Sequence, residues 1–440
     1  MKNKKWMAIL LGGIMAASLA APCSVSAAEK TTLTFWHAMG GTNGEVLQQI
    51  VDDFNASQDE IEIKAEYQGT YDDTITKLKA AMQSESGLPD VCQMYDVGTK
   101  FMYDSGAVIP VEDKFESTGY DKSSVMDVIS SYYTVEGKQY AMPFNVSTPM
   151  LYYNKDVFEA AGLDPETPPT TYDEVLEDAK KIVESGAAPV GYSQAIYGWF
   201  FEQQLAGLGV TYGNNDNGRT EAVTAVDFDS NGGGLKVFDM WKKLYDSGYF
   251  EDYGTTTADT QTAFFSGQVG MIIESTAILK NAVDSSPFEV GTGYLPRIEQ
   301  NDEGGVIIGG GSLWLTDTGN EANEDAAWKF IEYITTPDVQ AKWSMGTGYF
   351  AINEKAYETD DMKAYLKENP NFETAINQLK DSPVNCNTAG VLSGVQTEAR
   401  LTFNEIMPQV YDGKLTTQDA VDQLAASVNK AIENYNESIK

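Results

Sequence analysis

Hydrophobic positions along the first third of the chain alternate between the period of a strand and the period of a helix. Alternation over 32–36 and 61–67 and an apolar run over 91–95 predict three strands. Helices are predicted over 46–54, where apolar residues recur at four-residue spacing, and over 71–83. A β-α-β-α-β order needs crossover helices, so the pattern predicts an α/β fold with a mostly parallel sheet.

The ends of these strands are the first candidates for a binding site. In open parallel sheets, ligands bind beyond the carboxyl ends of the strands. Trp36 and His37 follow the first predicted strand, and Tyr95 and Asp96 follow the third. Further along, a capping box of Thr171 with Glu174 predicts the start of another helix.

Charge is the most unusual feature of the composition. The 440 residues include 65 Asp and Glu against 30 Lys and Arg, a formal net charge of -35. A surface this acidic repels phosphate backbones and anionic lipids, which argues against nucleic acid or a membrane as partner. The 42% hydrophobic fraction is typical of a globular chain.

The first 28 residues are predicted to be a secretory signal peptide. Lysines at 2, 4 and 5 precede an apolar stretch at 7–21, and Val25-Ser26-Ala27 forms a small-residue cleavage site. Cys23 supports an alternative, lipidation at that cysteine, although Pro22 is unusual before a lipidated cysteine. The mature protein is therefore expected outside the cytoplasm, either periplasmic or anchored at the cell surface.

Several kinds of chemistry find no support in the chain. His37 is the single histidine, which excludes a histidine-based metal cluster, and no Cys-x-x-Cys, Walker or G-x-S-x-G motif is present. No cofactor and no metal are predicted. A secreted enzyme acting on glycans or glycerophosphodiesters is a further alternative, but no spacing among the 65 acids selects a catalytic pair.

The three arginines are better candidates for binding an anion. Arg219, Arg297 and Arg400 stand against 27 lysines, and the planar guanidinium suits a phosphate or a carboxylate. Glu398 lies close to Arg400 in sequence, so a plain surface ion pair is the alternative for that arginine. Aromatic residues at turns could stack against a sugar or glycerol face; they are Tyr71, Trp199 and Tyr349.

Several short segments carry a resemblance to a known family. They are FWH at 35–37, YDVGT at 95–99, PFNVSTP at 143–149, LYYNK at 151–155, GLDP at 162–165, IGGGSLW at 308–314 and TGY at 347–349. Over residues 31–435 the chain resembles the extracellular solute-binding proteins of bacterial ABC importers, specifically their glycerol-phosphate-binding branch. The resemblance implies a non-enzymatic protein with two α/β lobes, a hinge and a ligand cleft between the lobes. Residues 31–144 with 305–345 would form one lobe, and 145–304 with 346–440 the other.

The same resemblance implies a set of ligand-binding residues. Arg400 matches the phosphate-binding arginine, and Asp96 stands where the family commonly has a glutamate that binds the glycerol hydroxyls. Gly310 matches a backbone donor. The complete set is Tyr71, Asp96, Ser147, Trp199, Ser275, Gly310, Tyr349 and Arg400.

Three departures from the family leave the ligand open. One of the family's two cleft tryptophans is replaced by Ile196. The family's second arginine near the phosphate corresponds to about the position of Leu392, and Asp96 is one methylene shorter than the glutamate common in the family. The principal expectation is capture of glycerol-3-phosphate or a glycerophosphodiester for an ABC permease, by a monomer. The alternative is a neutral sugar or oligosaccharide.

Overall fold

The computed structural model describes residues 30–84 and 87–439. The predicted signal peptide and Cys23 lie outside these residues. The strands are β1 Thr31–His37, β2 Ile61–Tyr67, β3 Val91–Tyr95, β4 Val108–Ile109, β5 Thr134–Val135, β6 Lys138–Gln139, β7 Met142–Ser147, β8 Pro149–Asn154, β9 Val190–Ser193, β10 Val269–Ser275, β11 Val290–Gly293 and β12 Gly309–Thr316.

Helices connect and cover these strands. They are α1 Gly41–Ser57, α2 Tyr71–Gln83, α3 Thr99–Asp104, α4 Val111–Thr118, α5 Asp127–Ser130, α6 Lys155–Ala160, α7 Tyr172–Ser185, α8 Gly198–Gly207, α9 Asn214–Gly218, α10 Gly233–Asp246, α11 Thr257–Phe265, α12 Leu279–Ser285, α13 Glu321–Ile334, α14 Pro337–Thr347, α15 Asp360–Glu368, α16 Asn371–Asp381, α17 Gln396–Tyr411 and α18 Thr417–Ser438. Short 3-10 helices lie at Asp96–Gly98, Lys122–Ser124, Ser131–Tyr133, Thr276–Ile278 and Glu354–Glu358.

The first sheet has the strand order β2-β1-β3-β12-β4, and β7 also pairs with β12. The three predicted strands and both intervening helices are confirmed, and β1 pairs in parallel with β2 and β3. The sheet is nevertheless mixed, because β12 runs antiparallel to β3, β4 and β7. Helix α1 buries Leu47, Ile50, Val51 and Phe54, so the predicted four-residue spacing faces the core.

The second sheet has the order β11-β8-β10-β9, with β8 antiparallel to both neighbours. Helices α8, α10, α17 and α18 pack together beside it. The capping box predicted at Thr171 and Glu174 is confirmed at the start of α7. Each sheet therefore has its own helical layer, as a two-lobed protein requires.

The chain crosses between the sheets at a single residue after β7. Ser147 ends β7 in the first sheet and Pro149 begins β8 in the second. Thr148 between them exchanges hydrogen bonds with Thr276, at 2.8 Å and 3.1 Å. The chain returns to the first sheet before β12, where the Gly305 N–H donates to the Ala206 carbonyl at 3.3 Å. These crossings join the two sheets, and one hydrophobic cluster contains residues of both, such as Phe144 of β7 and Ile272 of β10. The limits predicted for the two lobes stay a prediction.

Both cysteines in the described part of the chain, Cys92 and Cys386, are free thiols, the first buried and the second partly buried. No helix in the same part is long and apolar enough to cross a membrane.

Candidate functional site

The site lies where the carboxyl end of β3 meets two helices of the second lobe. Asp96 begins the 3-10 turn directly after β3. Glu202 lies on α8 and Arg400 on α17. A Cβ at Gly198 would lie 2.5 Å from the Arg400 Cα, so glycine lets the start of α8 touch the backbone of α17. This close approach brings Glu202 beside Arg400.

Arg400, Asp96 and Glu202 form an ion-pair cluster, called here the Arg400 cluster. Arg400 Nε donates to Glu202 Oε1 at 2.8 Å, and Nη2 donates to Glu202 Oε2 at 2.7 Å. Nη2 also donates to Asp96 Oδ2 at 2.8 Å. All three residues are buried, with 8%, 5% and 6% of Arg400, Asp96 and Glu202 exposed. The cluster joins the end of β3 in the first sheet to α8 and α17, and the alternative of a surface ion pair between Arg400 and Glu398 is wrong because the guanidinium is buried against other carboxylates.

The electrostatics of this cluster follow from its burial. Burial raises the pKa of Glu202, an effect that the Arg400 charge opposes. Burial alone would lower the pKa of Arg400, but Asp96 and Glu202 hold it well above its ordinary value. Tyr197 lies within the electrostatic influence of these three groups and of Glu274, and burial raises the pKa of Tyr197 to about 12. The Arg400 guanidinium thus lies among more acidic than basic side chains.

Aromatic rings form a second part of the site. The rings of Tyr71 and Tyr95 stack with centroids 5.1 Å apart and an interplanar angle of 8°. Tyr71 Oη accepts a hydrogen bond from Asn145 Nδ2 at 2.7 Å. The Tyr95 hydroxyl lies 2.7 Å from that of Thr397 on α17. Because Tyr95 ends a strand of the first sheet, this contact is a further bridge between the lobes.

The glycines of β12 lie against the same region. Gly310 has a φ of +91°, and a Cβ there would lie 1.8 Å from the Asn145 carbonyl oxygen. A Cβ at Gly309 would lie 2.7 Å from the Trp199 ring. Both positions therefore require glycine, because the Asn145 carbonyl and the Trp199 ring fill the space that a Cβ would need. The buried indole N–H of Trp199 has no acceptor among the described residues.

The remaining predicted residues are Tyr349, in the segment after α14, and two serines at the ends of strands. Tyr349 is buried and stacks on Trp343 at 5.7 Å. Burial raises the pKa of Tyr349, and its hydrogen bonds with Asn145 and Tyr71 oppose that rise. Ser147 is buried at the end of β7, opposite Gly309. Ser275 ends β10, and its hydroxyl accepts from the Ala277 N–H at 3.2 Å.

The structure therefore brings six predicted residues into one region, whereas the role of each in binding a ligand stays a prediction. They are Tyr71, Asp96, Trp199, Gly310, Tyr349 and Arg400.

Two cavities lie near this part of the molecule. One of about 630 Å³ lies between α2, α3, α17 and α18 and is lined by Tyr95 and Thr397. Another of about 540 Å³ lies between α8, α16 and the segment 292–306. Neither cavity is lined by any of the eight predicted site residues, although the first lies beside the contact between Tyr95 and Thr397. Within residues 30–84 and 87–439 no group of three or more His, Cys, Asp or Glu residues could hold a metal ion.

Sequence reasoning missed Glu202, Asn145 and Tyr197. A signal for Glu202 was available, because its segment, GWFFEQQLAG, places one acid in an otherwise uncharged helix. A lone charge on a helix that is buried along most of its length needs a partner. The identity of that partner, Arg400, was not readable from the pattern.

Comparison with known proteins decides the family. Residues 49–374 match the family model of the bacterial extracellular solute-binding proteins. The chain belongs to this family. It is 31% identical over 417 residues to the sn-glycerol-3-phosphate-binding periplasmic protein UgpB of Escherichia coli (strain K12), covering 93% of this chain and 94% of that protein.

Solved structures support the same fold. The cyclic alpha-maltosyl-1,6-maltose binding protein of Arthrobacter globiformis is 26% identical, with a TM-score of 0.76 over 92% of this chain and 100% of the other. UgpB from Mycobacterium tuberculosis, in complex with glycerophosphocholine, is 20% identical, with a TM-score of 0.79 over 92% and 99% of the two chains. The predicted two-lobed α/β fold and the function of an ABC-type extracellular solute-binding protein are confirmed.

Proposed function

We propose that this protein captures glycerol-3-phosphate or a glycerophosphodiester in the interlobe cleft and delivers it to an ABC permease. The observation that carries the proposal is the buried guanidinium of Arg400, held between the end of β3 and helix α8. The 31% identity to the Escherichia coli glycerol-3-phosphate-binding protein supports the same ligand class.

The surrounding groups suit the two ends of such a ligand. Arginine binds a phosphate oxygen through charge-assisted hydrogen bonds, and the carboxylate of Asp96 can accept hydrogen bonds from glycerol hydroxyls. The indole N–H of Trp199, which has no partner in the part of the chain that the structure describes, can donate to the ligand. Since Asp96 and Arg400 belong to different lobes, a ligand that contacts both favours the closed arrangement over an open one.

A neutral oligosaccharide is the second candidate, and one observation favours it. Arg400 is already balanced by two carboxylates, which could serve as acceptors for sugar hydroxyls. The similar Arthrobacter globiformis protein is named for a maltose-derived sugar. In this case stacking on aromatic rings, rather than the guanidinium, would supply most of the affinity.

A thermal-shift and calorimetric screen separates these candidates. The panel contains glycerol-3-phosphate, glycerophosphocholine, sugar phosphates and neutral oligosaccharides. A ligand present at 100 times its Kd stabilises the protein by about 2.7 kcal/mol. We expect Arg400→Lys to weaken binding of the phosphate compounds roughly tenfold or more, because lysine lacks the planar fork. Arg297→Lys changes an exposed arginine in the same way and is the matched control.

A response to neutral oligosaccharides alone, unchanged in Arg400→Lys, would refute the proposal and support the second candidate. Chromatography of each ligand after long incubation tests the proposed absence of catalysis, since product formation would identify an enzyme.

The location and assembly of the protein are part of the proposal. We expect an extracytoplasmic monomer that meets only its solute and the permease subunits. Mass spectrometry of the mature amino terminus distinguishes cleavage after Ala27 from lipidation at Cys23. Light scattering during size-exclusion chromatography gives the mass in solution, and a dimer mass would contradict the proposed monomer.

A further inference from the structure

We infer that Glu202 sets the charge selectivity of the cleft, so that it prefers a ligand phosphate with a single negative charge to one with two. The ligand class would then be a phosphodiester rather than a phosphomonoester. This inference rests on the proposed function and deepens it. It makes Glu202 a specificity-determining residue that acts on the ligand through Arg400.

The geometry shows how Glu202 limits the hydrogen-bond donors that Arg400 can offer to a ligand. Its two carboxylate oxygens occupy Arg400 Nε and Nη2 at 2.8 Å and 2.7 Å, which is the bidentate arrangement that a phosphate would otherwise take. The hydrogen bonds to Glu202 and Asp96 engage Nε and Nη2 and leave Nη1 for a ligand oxygen. Gln396 Nε2 donates to Glu202 Oε1 at 2.9 Å and helps to hold the carboxylate in place.

The charge balance points to the same selectivity. With both carboxylates ionised, the Arg400 cluster carries one positive and two negative charges. A phosphomonoester brings a charge of about −1.5 to −2 at neutral pH, whereas a phosphodiester brings about −1. Each added negative charge is repelled more strongly in a buried site than in water, because the surroundings screen it less. The acidic site therefore disfavours the second negative charge of a monoester.

Glu274 extends this acidic environment. It is 5% exposed, lies on β10 and influences Tyr197 together with Asp96 and Glu202. Its oxygens accept from Gln261 Nε2 at 2.9 Å and from the Ser275 N–H at 2.6 Å. These partners are neutral, so no cation in those contacts opposes the burial that raises the pKa of Glu274.

The test compares two ligands that differ in one charge. Isothermal titration calorimetry at neutral pH measures the affinities of glycerol-3-phosphate and of its methyl diester for the wild-type protein. We expect the diester to bind roughly tenfold more tightly or better, which corresponds to about 1.4 kcal/mol. Equal or tighter binding of the monoester would overturn the inference. This measurement needs no variant and so does not depend on the folding of one.

Variants then assign the effect to Glu202. In Glu202→Gln, which keeps the shape but removes the charge, the ratio of the two affinities should move towards the monoester roughly tenfold. Glu405→Gln makes the same change at an exposed position of α17 and should leave the ratio at the wild-type value. Glu202→Asp retains the charge and should also keep the wild-type preference.

An unchanged ratio in Glu202→Gln, with both ligands still bound, would overturn this inference and leave the proposed function intact. If neither phosphate compound binds to the wild-type protein, the proposed function and this inference both fail.

Discussion

Removing the Arg400 guanidinium should destabilise the protein by an amount that its ion pairs determine. Arg400→Met keeps a long apolar side chain but deletes three charge-assisted hydrogen bonds of 2.7 to 2.8 Å. It leaves Asp96 and Glu202 buried without their cation. Breaking a buried ion pair by deleting one partner costs about 3–5 kcal/mol, so we expect a loss in that range at neutral pH.

The pH dependence of this loss has a defined sign. Burial raises the pKa of Glu202 in the folded protein, and loss of the Arg400 charge removes an opposing influence. A carboxyl whose folded-state pKa exceeds its unfolded value contributes no penalty below the unfolded value, and the penalty grows as pH rises from that value to the folded-state pKa, above which it is complete. The deficit of Arg400→Met should therefore be smaller near about pH 5 than near about pH 8.

Urea unfolding followed by tryptophan fluorescence measures this deficit. Arg297→Met, at an exposed position, is the control and should stay within about 0.5 kcal/mol of wild type. Adding Asp96→Asn and Glu202→Gln to Arg400→Met should restore most of the lost stability, because the uncompensated charges are then gone. A deficit below about 1 kcal/mol, or one independent of pH, would refute the argument that the carboxylates depend on Arg400.

Two other predictions concern backbone conformation and thiol reactivity. Gly310→Ala should lower the free energy of unfolding by more than about 3 kcal/mol, since the substitution adds a clash with a backbone carbonyl to the strain of a positive φ. Gly319→Ala, at a φ of +69° with open space around it, should lower it by about 1 kcal/mol in the same urea assay. Equal losses at both positions would contradict this prediction and show that β12 shifts to accommodate a Cβ at Gly310. Burial raises the pKa of the Cys92 thiol to about 12, so in the native protein a thiol reagent should modify the partly buried Cys386 first and reach Cys92 only in denaturant. Rapid native labelling of two thiols would contradict this.

The strands and helices of the first half of the first sheet were predictable because the spacing of their hydrophobic residues shows which side of each element is buried. Alternating residues such as Ile61 and Ile63 face the core, and the four-residue spacing of α1 does the same for a helix. The antiparallel partner β12 was not predictable as such. It comes from more than 200 residues later in the chain, and its pairing depends on contacts between edges of distant segments.

The candidate site divides in the same way. Asp96 could be predicted as a site residue from its position after a strand, because the ends of parallel strands meet at one edge of a sheet. Arg400 was predicted as a ligand residue because arginine is rare in the chain and because of the family resemblance. Neither its burial nor its ion-pair partners could be predicted. Glu202 lies 198 residues away from it along the chain, and only the packing of α8 on α17 at Gly198 brings the two together.

The α/β class, the strongly acidic character and the residue types available for binding were readable without a structure, because they depend on local spacing and composition. Which charges neutralise one another became visible only in the folded molecule. Electrostatic energy depends on distance and burial, and neither is a property of position along the chain. The resemblance indicated a phosphate-binding arginine, whereas the fold places that arginine between two carboxylates, and this arrangement is the basis for the proposed preference for a phosphodiester.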